Sequence, residues 1–137
     1  MDKFLVVIQA RLDSKRFPNK VLKEIAGLPS LVFQVERIKQ AKFVDKIIVA
    51  IPKTNNNDAL AKTLNDYNIN YFRGSDSNVL KRFTDCAKRN SSFNHIVRIT
   101  GDCPLSDPNL IDEVITKFKA EKCDYITTGN KFPDGVD

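Results

Sequence analysis

Phe4-Leu5-Val6-Val7-Ile8-Gln9-Ala10-Arg11-Leu12-Asp13-Ser14-Lys15-Arg16-Phe17-Pro18-Asn19-Lys20 lies near the start of the chain, and its two halves differ sharply. Phe4–Ile8 is an apolar run rich in β-branched side chains, which reads as a strand, and it stops abruptly in a long polar and basic loop. An α/β ligand site begins in this way, because the strand end anchors the loop and the loop meets the ligand. Arg11, Lys15, Arg16 and Lys20 put four cations within ten residues, and Ser14 adds a hydroxyl. Neither a Gly-x-Gly-x-x-Gly turn nor a Walker A run is present. Binding an anion therefore falls to side chains, with Arg forking onto phosphate oxygens and Lys acting as a point charge. On composition alone, a solvated basic loop accounts for the same residues.

Downstream, strand and helix signals alternate. Pro29 and Ser30 mark a helix start, and Leu31, Val32, Val35 and Ile38 share a face to about Lys42. Lys46–Ile51 is a second apolar run, stopped by Pro52 and a loop over 53–57. The Asn run caps a predicted helix from Asp58 to Tyr67, with Leu60, Leu64 and Tyr67 inward and Asn68 as its left-handed stop. Ile69–Phe72 reads as a third strand. Asp76 or Ser77 then caps a helix whose inward stripe is Val79, Leu80, Phe83 and Ala87. His95–Ile99 is a fourth strand. Asp107-Pro108, an N-cap followed by proline, starts a helix carrying Leu110, Ile111, Val114 and Phe118, and Cys123–Thr127 opens a fifth strand. This alternation predicts an α/β fold, a mostly parallel sheet flanked by helices, with the ligand at the C-terminal ends of the strands.

The 137 residues suffice for one domain with a real core. A hydrophobic content of 42% with ordinary Gly and Pro counts excludes disordered and fibrous classes. No run approaches the roughly 18–20 apolar residues of a membrane span, and the N-terminus lacks the longer core of a signal peptide. Cys86, Cys103 and Cys123 are odd in number and widely spaced, which argues against a disulfide framework or a zinc site. Cytoplasm is the expected compartment. The net charge of +5 is densest in the first twenty-three residues, a field suited to an anionic ligand. Nucleic acid is an alternative ligand on charge alone. Against it, basic and acidic residues alternate elsewhere and no nucleic-acid motif appears.

Two further segments carry chemistry. Thr100-Gly101-Asp102-Cys103-Pro104-Leu105 follows the fourth strand, so glycine permits close backbone approach and Asp102 projects over the sheet end. That position suits a Mg²⁺ ligand, since magnesium takes one or two carboxylates plus substrate phosphates. A plain Gly-Asp turn is the alternative. In Phe72-Arg73-Gly74-Ser75-Asp76-Ser77-Asn78, an Arg leaves a strand just before a helix N-terminus and offers a cation and free N–H groups to a polar ligand. A capped helix with a solvated Arg73 explains it equally. His95 reads as structural, Cys86 and Cys123 as small buried hydrophobes, and Cys103 has no paired His. Phe33, Phe83 and Phe118 read as packing. Asp134 and Asp137, in Pro-Asp-Gly-x-Asp, read as a turn.

Ile-Gln-Ala-Arg-x-x-Ser-x-Arg-x-Pro-x-Lys-Val-Leu, from Ile8 to Leu22, resembles the opening signature of the sugar cytidylyltransferases, the CMP-KDO and CMP-acylneuraminate synthetase type. Within that group the match is nearest to the SpsF-like spore-coat polysaccharide branch. Gly101-Asp102-Cys103-Pro104-Leu105 and the segment from Phe72 to Arg82 resemble its other two signatures, in the right order. The resemblance implies a Rossmann-like nucleotide-diphospho-sugar transferase fold and transfer of CMP from CTP to a sugar acid for surface polysaccharide biosynthesis. It implies that Arg11, Ser14 and Lys20 hold the triphosphate, that Gln9 and Ala10 lie beside cytosine, and that Asp102 binds Mg²⁺. Arg73 and the following helix would frame base and ribose, with Asn78 as a polar contact. Arg11, Lys20 and Asp102 are the expected catalytic residues. Neither nucleic acid nor membrane is an expected partner. Such proteins run on well beyond this length, so residues 1–137 are expected to be the N-terminal part of a longer protein. Pro-Asp-Gly-x-Asp also occurs in the SpsF-like branch shortly before a sugar-site segment, so the resemblance offers approach of Asp134 and Asp137 to a sugar or second metal as the alternative to a turn. The second metal ligand, the sugar pocket and any homodimer contact are expected beyond residues 1–137. Another base, a sugar phosphate or a non-catalytic nucleotide-binding role are the alternatives.

Overall fold

β1 (Phe4–Gln9) is buried at every residue but Gln9, and both of its edges are paired. A strand covered on both faces needs a continuous apolar run, which explains why Phe4–Ile8 does not alternate. The computed structural model describes residues 1–129. The loop after β1 closes on itself, with Asn19 N–H donating to Leu12 O at 2.9 Å, and a 3-10 turn at Lys20–Leu22 follows. A two-residue hairpin, β2 (Glu24–Ile25) with β3 (Leu28–Pro29), then turns through Ala26 and Gly27 at φ 51° and 82°. It leads into α1 (Ser30–Ile38).

β4 (Lys46–Pro52), α2 (Asp58–Asp66), β5 (Tyr71–Gly74), α3 (Val79–Arg89), β6 (His95–Thr100) and α4 (Pro108–Glu121) are the strands and α-helices that follow among the described residues. The sheet order is β5-β4-β1-β6, and every pairing in it is parallel. Side chains of β1 alternate between two cores. Val6 and Ile8 pack with Leu31, Val35 and Ile38 of α1 and Leu60 and Leu64 of α2. Leu5 and Val7 pack with Cys86 of α3 and with Phe72 and Phe83. Helices thus cover both faces of a Rossmann-like parallel sheet, as the alternation of elements predicts. From β1 the chain steps outward to β4 and β5, then returns to place β6 on the other side of β1. The order reverses between β1 and β6, so the loops leaving these two strands part there and open a crevice.

Several local expectations are corrected. No strand forms at Cys123–Thr127: α4 ends at Glu121, Lys122 turns left-handed at φ 50°, and residues 123–129 pair with no ladder. β-branched composition does not suffice without a partner edge. α1 stops at Ile38 rather than near Lys42, and the third strand is shifted to Tyr71–Gly74. Tyr67 and Leu80, expected inward, are exposed, and Cys123 is only half-buried. α3 instead turns Arg82 and Cys86 into the protein, and Leu80 lies off that face. Neither Asp76 nor Ser77 caps α3; Asn78 Oδ1 does, accepting from Lys81 N–H at 2.8 Å. Ile115, not singled out on α4, is its buried residue.

Candidate active site at the switch point

The loops after β1 and β6 enclose a cavity of about 410 Å³, lined by residues 9–11, 13–16, 20, 21 and 100–102. Its floor depends on close backbone approach. Gly101 N–H donates to Gln9 O at 2.6 Å, and a Cβ on Gly101 would stand 2.7 Å from that oxygen and 2.9 Å from Ala10 Cβ. No side chain fits there, which is why glycine leaves β6. Ala10 N–H donates to Ala50 O at 3.2 Å and ties the loop to β4 as well.

Leu12 is the one residue of the 9–16 stretch that turns away, into the core at 6% exposure. Its N–H donates to Asn57 Oδ1 at 2.9 Å, and Asn57 is itself fully buried. Asn57 Nδ2 donates to Thr54 Oγ1 and Asn56 Oδ1. The Asn run therefore braces the loop, where its sequence suggested only a helix cap. On the other side, Gln34 of α1 is also fully buried and donates to Thr100 O at 2.8 Å and Ser106 Oγ at 3.1 Å. Arg37 Nε donates to Ser106 O at 3.1 Å. Together they hold the loop that carries Asp102.

Two of the cavity's cations, Arg11 and Lys20, are each paired with a carboxylate. Arg11 forks onto Asp13, with Nε to Oδ1 at 3.0 Å and Nη2 to Oδ2 at 2.8 Å. The Arg11 fork comes first among the causes that hold the Asp13 carboxyl below the usual carboxylate range, against the opposing effect of burial. Lys20 Nζ lies 3.1 Å from Asp102 Oδ2. Partial burial pushes the Asp102 carboxyl up, but hydrogen bonds from Lys20 and Thr100, the Lys20 charge and a backbone N–H outweigh it, so the net shift is downward. Nearby, Arg82 is fully buried and donates through Nη1 to Ser75 O at 2.6 Å. Desolvation, and then repulsion by Arg11, lower its pKa.

Of the residues singled out from sequence, Gln9, Ala10, Arg11, Ser14, Lys20 and Asp102 all line this one cavity. Arg73 and Asn78 do not. Arg73 pairs with Asp58 at 2.6 Å and donates to Thr54 O at 2.9 Å, while the Asn78 side chain caps α3. Asp134 and Asp137 lie outside the described residues. His95 sits at the far end of β6, stacked on Phe4 and 3.1 Å from Asp2. Asp13, Asn57, Gln34 and Arg82 escaped the sequence reading. Their side chains are of kinds that usually face solvent or cap helices, and only Asp13's place among four cations hinted at a role.

Asp102 suits one ligand position of a hard cation: it is an ionised oxygen donor at the cavity wall. Among the described residues no group of three or more His, Cys, Asp or Glu side chains gathers to hold a metal. The remaining ligands would come from phosphate and water, as magnesium sites commonly arrange. Nor is any described helix long and apolar enough to cross a membrane.

A family model for cytidylyltransferases matches residues 5–134. The chain is similar to the spore coat polysaccharide biosynthesis protein SpsF of Bacillus subtilis, at 33% identity over 91% of this chain and 53% of that protein. It is similar to the 3-deoxy-manno-octulosonate cytidylyltransferase of Bartonella bacilliformis, at 32% identity over 91% of this chain and 51% of that protein. Among solved structures it resembles a cytidylyltransferase from Leptospira borgpetersenii, with TM-score 0.82, 32% identity and coverage of 89% of this chain and 51% of that one. The chain thus spans about half the length of the curated relatives it matches.

Proposed function

The chain belongs to the cytidylyltransferase family, and from that premise we propose that the protein transfers CMP from CTP to a sugar acid and releases pyrophosphate, in surface polysaccharide biosynthesis. Residues 1–137 form its nucleotide-binding domain on this reading. The observation that carries it is the convergence of Arg11, Ser14, Lys20 and Asp102 on one cavity at the switch point between β1 and β6.

A sugar hydroxyl attacks the α-phosphorus in line and releases its proton to solvent, a new O–P bond forms, and the bond to the pyrophosphate oxygen breaks, its electron pair leaving with pyrophosphate. Such transfer consists mostly of positioning and charge stabilisation. Arg11 and Lys20 bind the β- and γ-phosphates and neutralise the charge that grows on the leaving pyrophosphate. Ser14 donates a hydrogen bond beside them, and backbone at Gln9 and Ala10 meets the base. Arg73 and Asn78 stand in structural contacts outside the cavity and serve the nucleotide through the β5–α3 segment. Asp102 supplies a carboxylate for Mg²⁺, which when bound would draw phosphate charge and orient the α-phosphate. Lys20 gives up its pairing with Asp102 in that state and turns to phosphate.

Thermal denaturation with CTP, UTP, ATP and GTP, each with and without Mg²⁺, tests the reading. Ligand at about a hundred times its Kd stabilises the folded state by about 2.7 kcal/mol. The expected result is a shift selective for CTP and larger with Mg²⁺. A shift with another nucleotide instead of CTP reassigns the base. No shift with any nucleotide removes the proposal.

A further inference from the structure

Asp13 lines the cavity beside the cations that are to meet an anion, where an acidic group opposes the ligand unless it serves them. Its two oxygens take the Nε and Nη2 hydrogens of Arg11, at 3.0 and 2.8 Å. Nη1 has no part in that fork, and its two N–H donors face no carboxylate there. The fork stands on a fixed base. Leu12, between the two partners, is anchored through its N–H to buried Asn57. Buried Arg82 repels Arg11 and is attracted by Asp13. Without Asp13, the Arg11 side chain, already 41% exposed, would lose its fork and be free to turn out toward water.

Resting on the nucleotide-site reading above, we propose that Asp13 is a positioning residue for Arg11: the fork holds the guanidinium over the cavity and presents its remaining N–H groups to a phosphate of the nucleotide. The same contact also suits the opposite role, a carboxylate competing with phosphate for Arg11. The bracing by Asn57 favours positioning, because a competitor must swing away when the ligand arrives and Asp13 sits beside an anchored backbone.

The test is a double-mutant cycle on the purified chain: wild type, Asp13→Ala, Arg11→Ala and the double variant. Each is titrated by calorimetry with CTP and with inorganic tripolyphosphate, at low ionic strength so that weak binding stays measurable. Asp13→Ala is expected to weaken both ligands about tenfold, within the coupling seen between contacting residues. Once Arg11 is Ala, removing Asp13 should cost nothing more. An equal loss in that background assigns Asp13 to loop folding and overturns the proposal. Tighter binding by Asp13→Ala overturns it in favour of competition. Asp13→Asn gives the same comparison if Asp13→Ala does not fold, since the amide keeps one acceptor for Arg11 without the charge. If wild type binds tripolyphosphate but not CTP, the cytidine reading fails and the cycle still decides the role of Asp13. If it binds neither, both fail.

Discussion

Arg11 and Lys20 each have a carboxylate against them, Asp13 and Asp102 respectively. The half-exposed Lys20–Asp102 pair is worth only about 0.2–1 kcal/mol, so an arriving triphosphate can exchange with it at small cost, whereas Arg11 keeps its fork to Asp13 and turns its remaining N–H groups to phosphate. A charge-assisted hydrogen bond to phosphate contributes about 1.5–3 kcal/mol. Arg11→Ala and Lys20→Ala are therefore expected to weaken CTP binding by about 10–100-fold in a calorimetric titration. Their melting temperatures should stay close to wild type, because neither side chain is part of the core. Asp102 gives a pH test. Its carboxyl is held below the ordinary value, so its stabilising contribution is full above the unfolded-state pKa of about 3.9 and is lost as pH falls through the lower folded value. Urea denaturation should show wild type slightly more stable than Asp102→Asn at pH 7. The two should converge once the pH is well below 3.9.

At the scale of elements, the site is made where two parallel strands end side by side. Gln9 and Thr100 are register partners, and Gly101 continues past the end of β6 against the Gln9 carbonyl. Gly101→Ala would drive a methyl group into backbone at 2.7 Å, where no flexible side chain can yield. The strands' ends must part, at an expected cost of about 1–3 kcal/mol in urea denaturation. The thermal shift with CTP should shrink in the same variant, because Ala10 and Asp102 move with those ends. Asn57 from the turn before α2 and Gln34 from α1 brace the two loops from opposite sides. Both are polar residues with no exposure, and buried polar groups persist where they are hydrogen-bonded.

Across the described residues, burial falls from the centre of the sheet to the loops that line the cavity. β1 has partners on both edges and a packed helical layer on each face, whereas Lys15, Arg16, Phe17 and Pro18 are exposed. Amide exchange should be slowest at Val6, Val7 and Ile8, opening only with global unfolding, and fastest over residues 15–17. Rapid exchange in β1 would mean that the two cores do not form one cooperative unit. A nucleotide that bridges the loops after β1 and β6 should slow exchange in both loops and leave the far end of β6 at His95 unchanged.

The alternation of strands and helices, the parallel sheet and the basic loop after β1 were all legible in the sequence, because burial on both faces and abrupt polarity changes leave local patterns. Arg11, Ser14 and Lys20 stand close together along the chain, so their grouping followed from one stretch, and Gln9 and Ala10 joined them through family likeness. Asp102 joined them through a glycine after a strand and through family likeness. Tertiary structure alone decided the rest. It paired Arg11 with Asp13 and Lys20 with Asp102, buried Asn57, Gln34 and Arg82, turned Leu80 and Tyr67 outward, and took Arg73 and Asn78 out of the cavity. It also left Cys123–Thr127 without a strand partner. The physical reason is that a hydrogen bond, an ion pair or a ladder needs two groups at one point in space. For Lys20–Asp102, Leu12–Asn57 and Gln34–Thr100 the partners come from segments far apart in the chain, and for near neighbours such as Arg11 and Asp13 the fold of the loop decides which way each side chain turns.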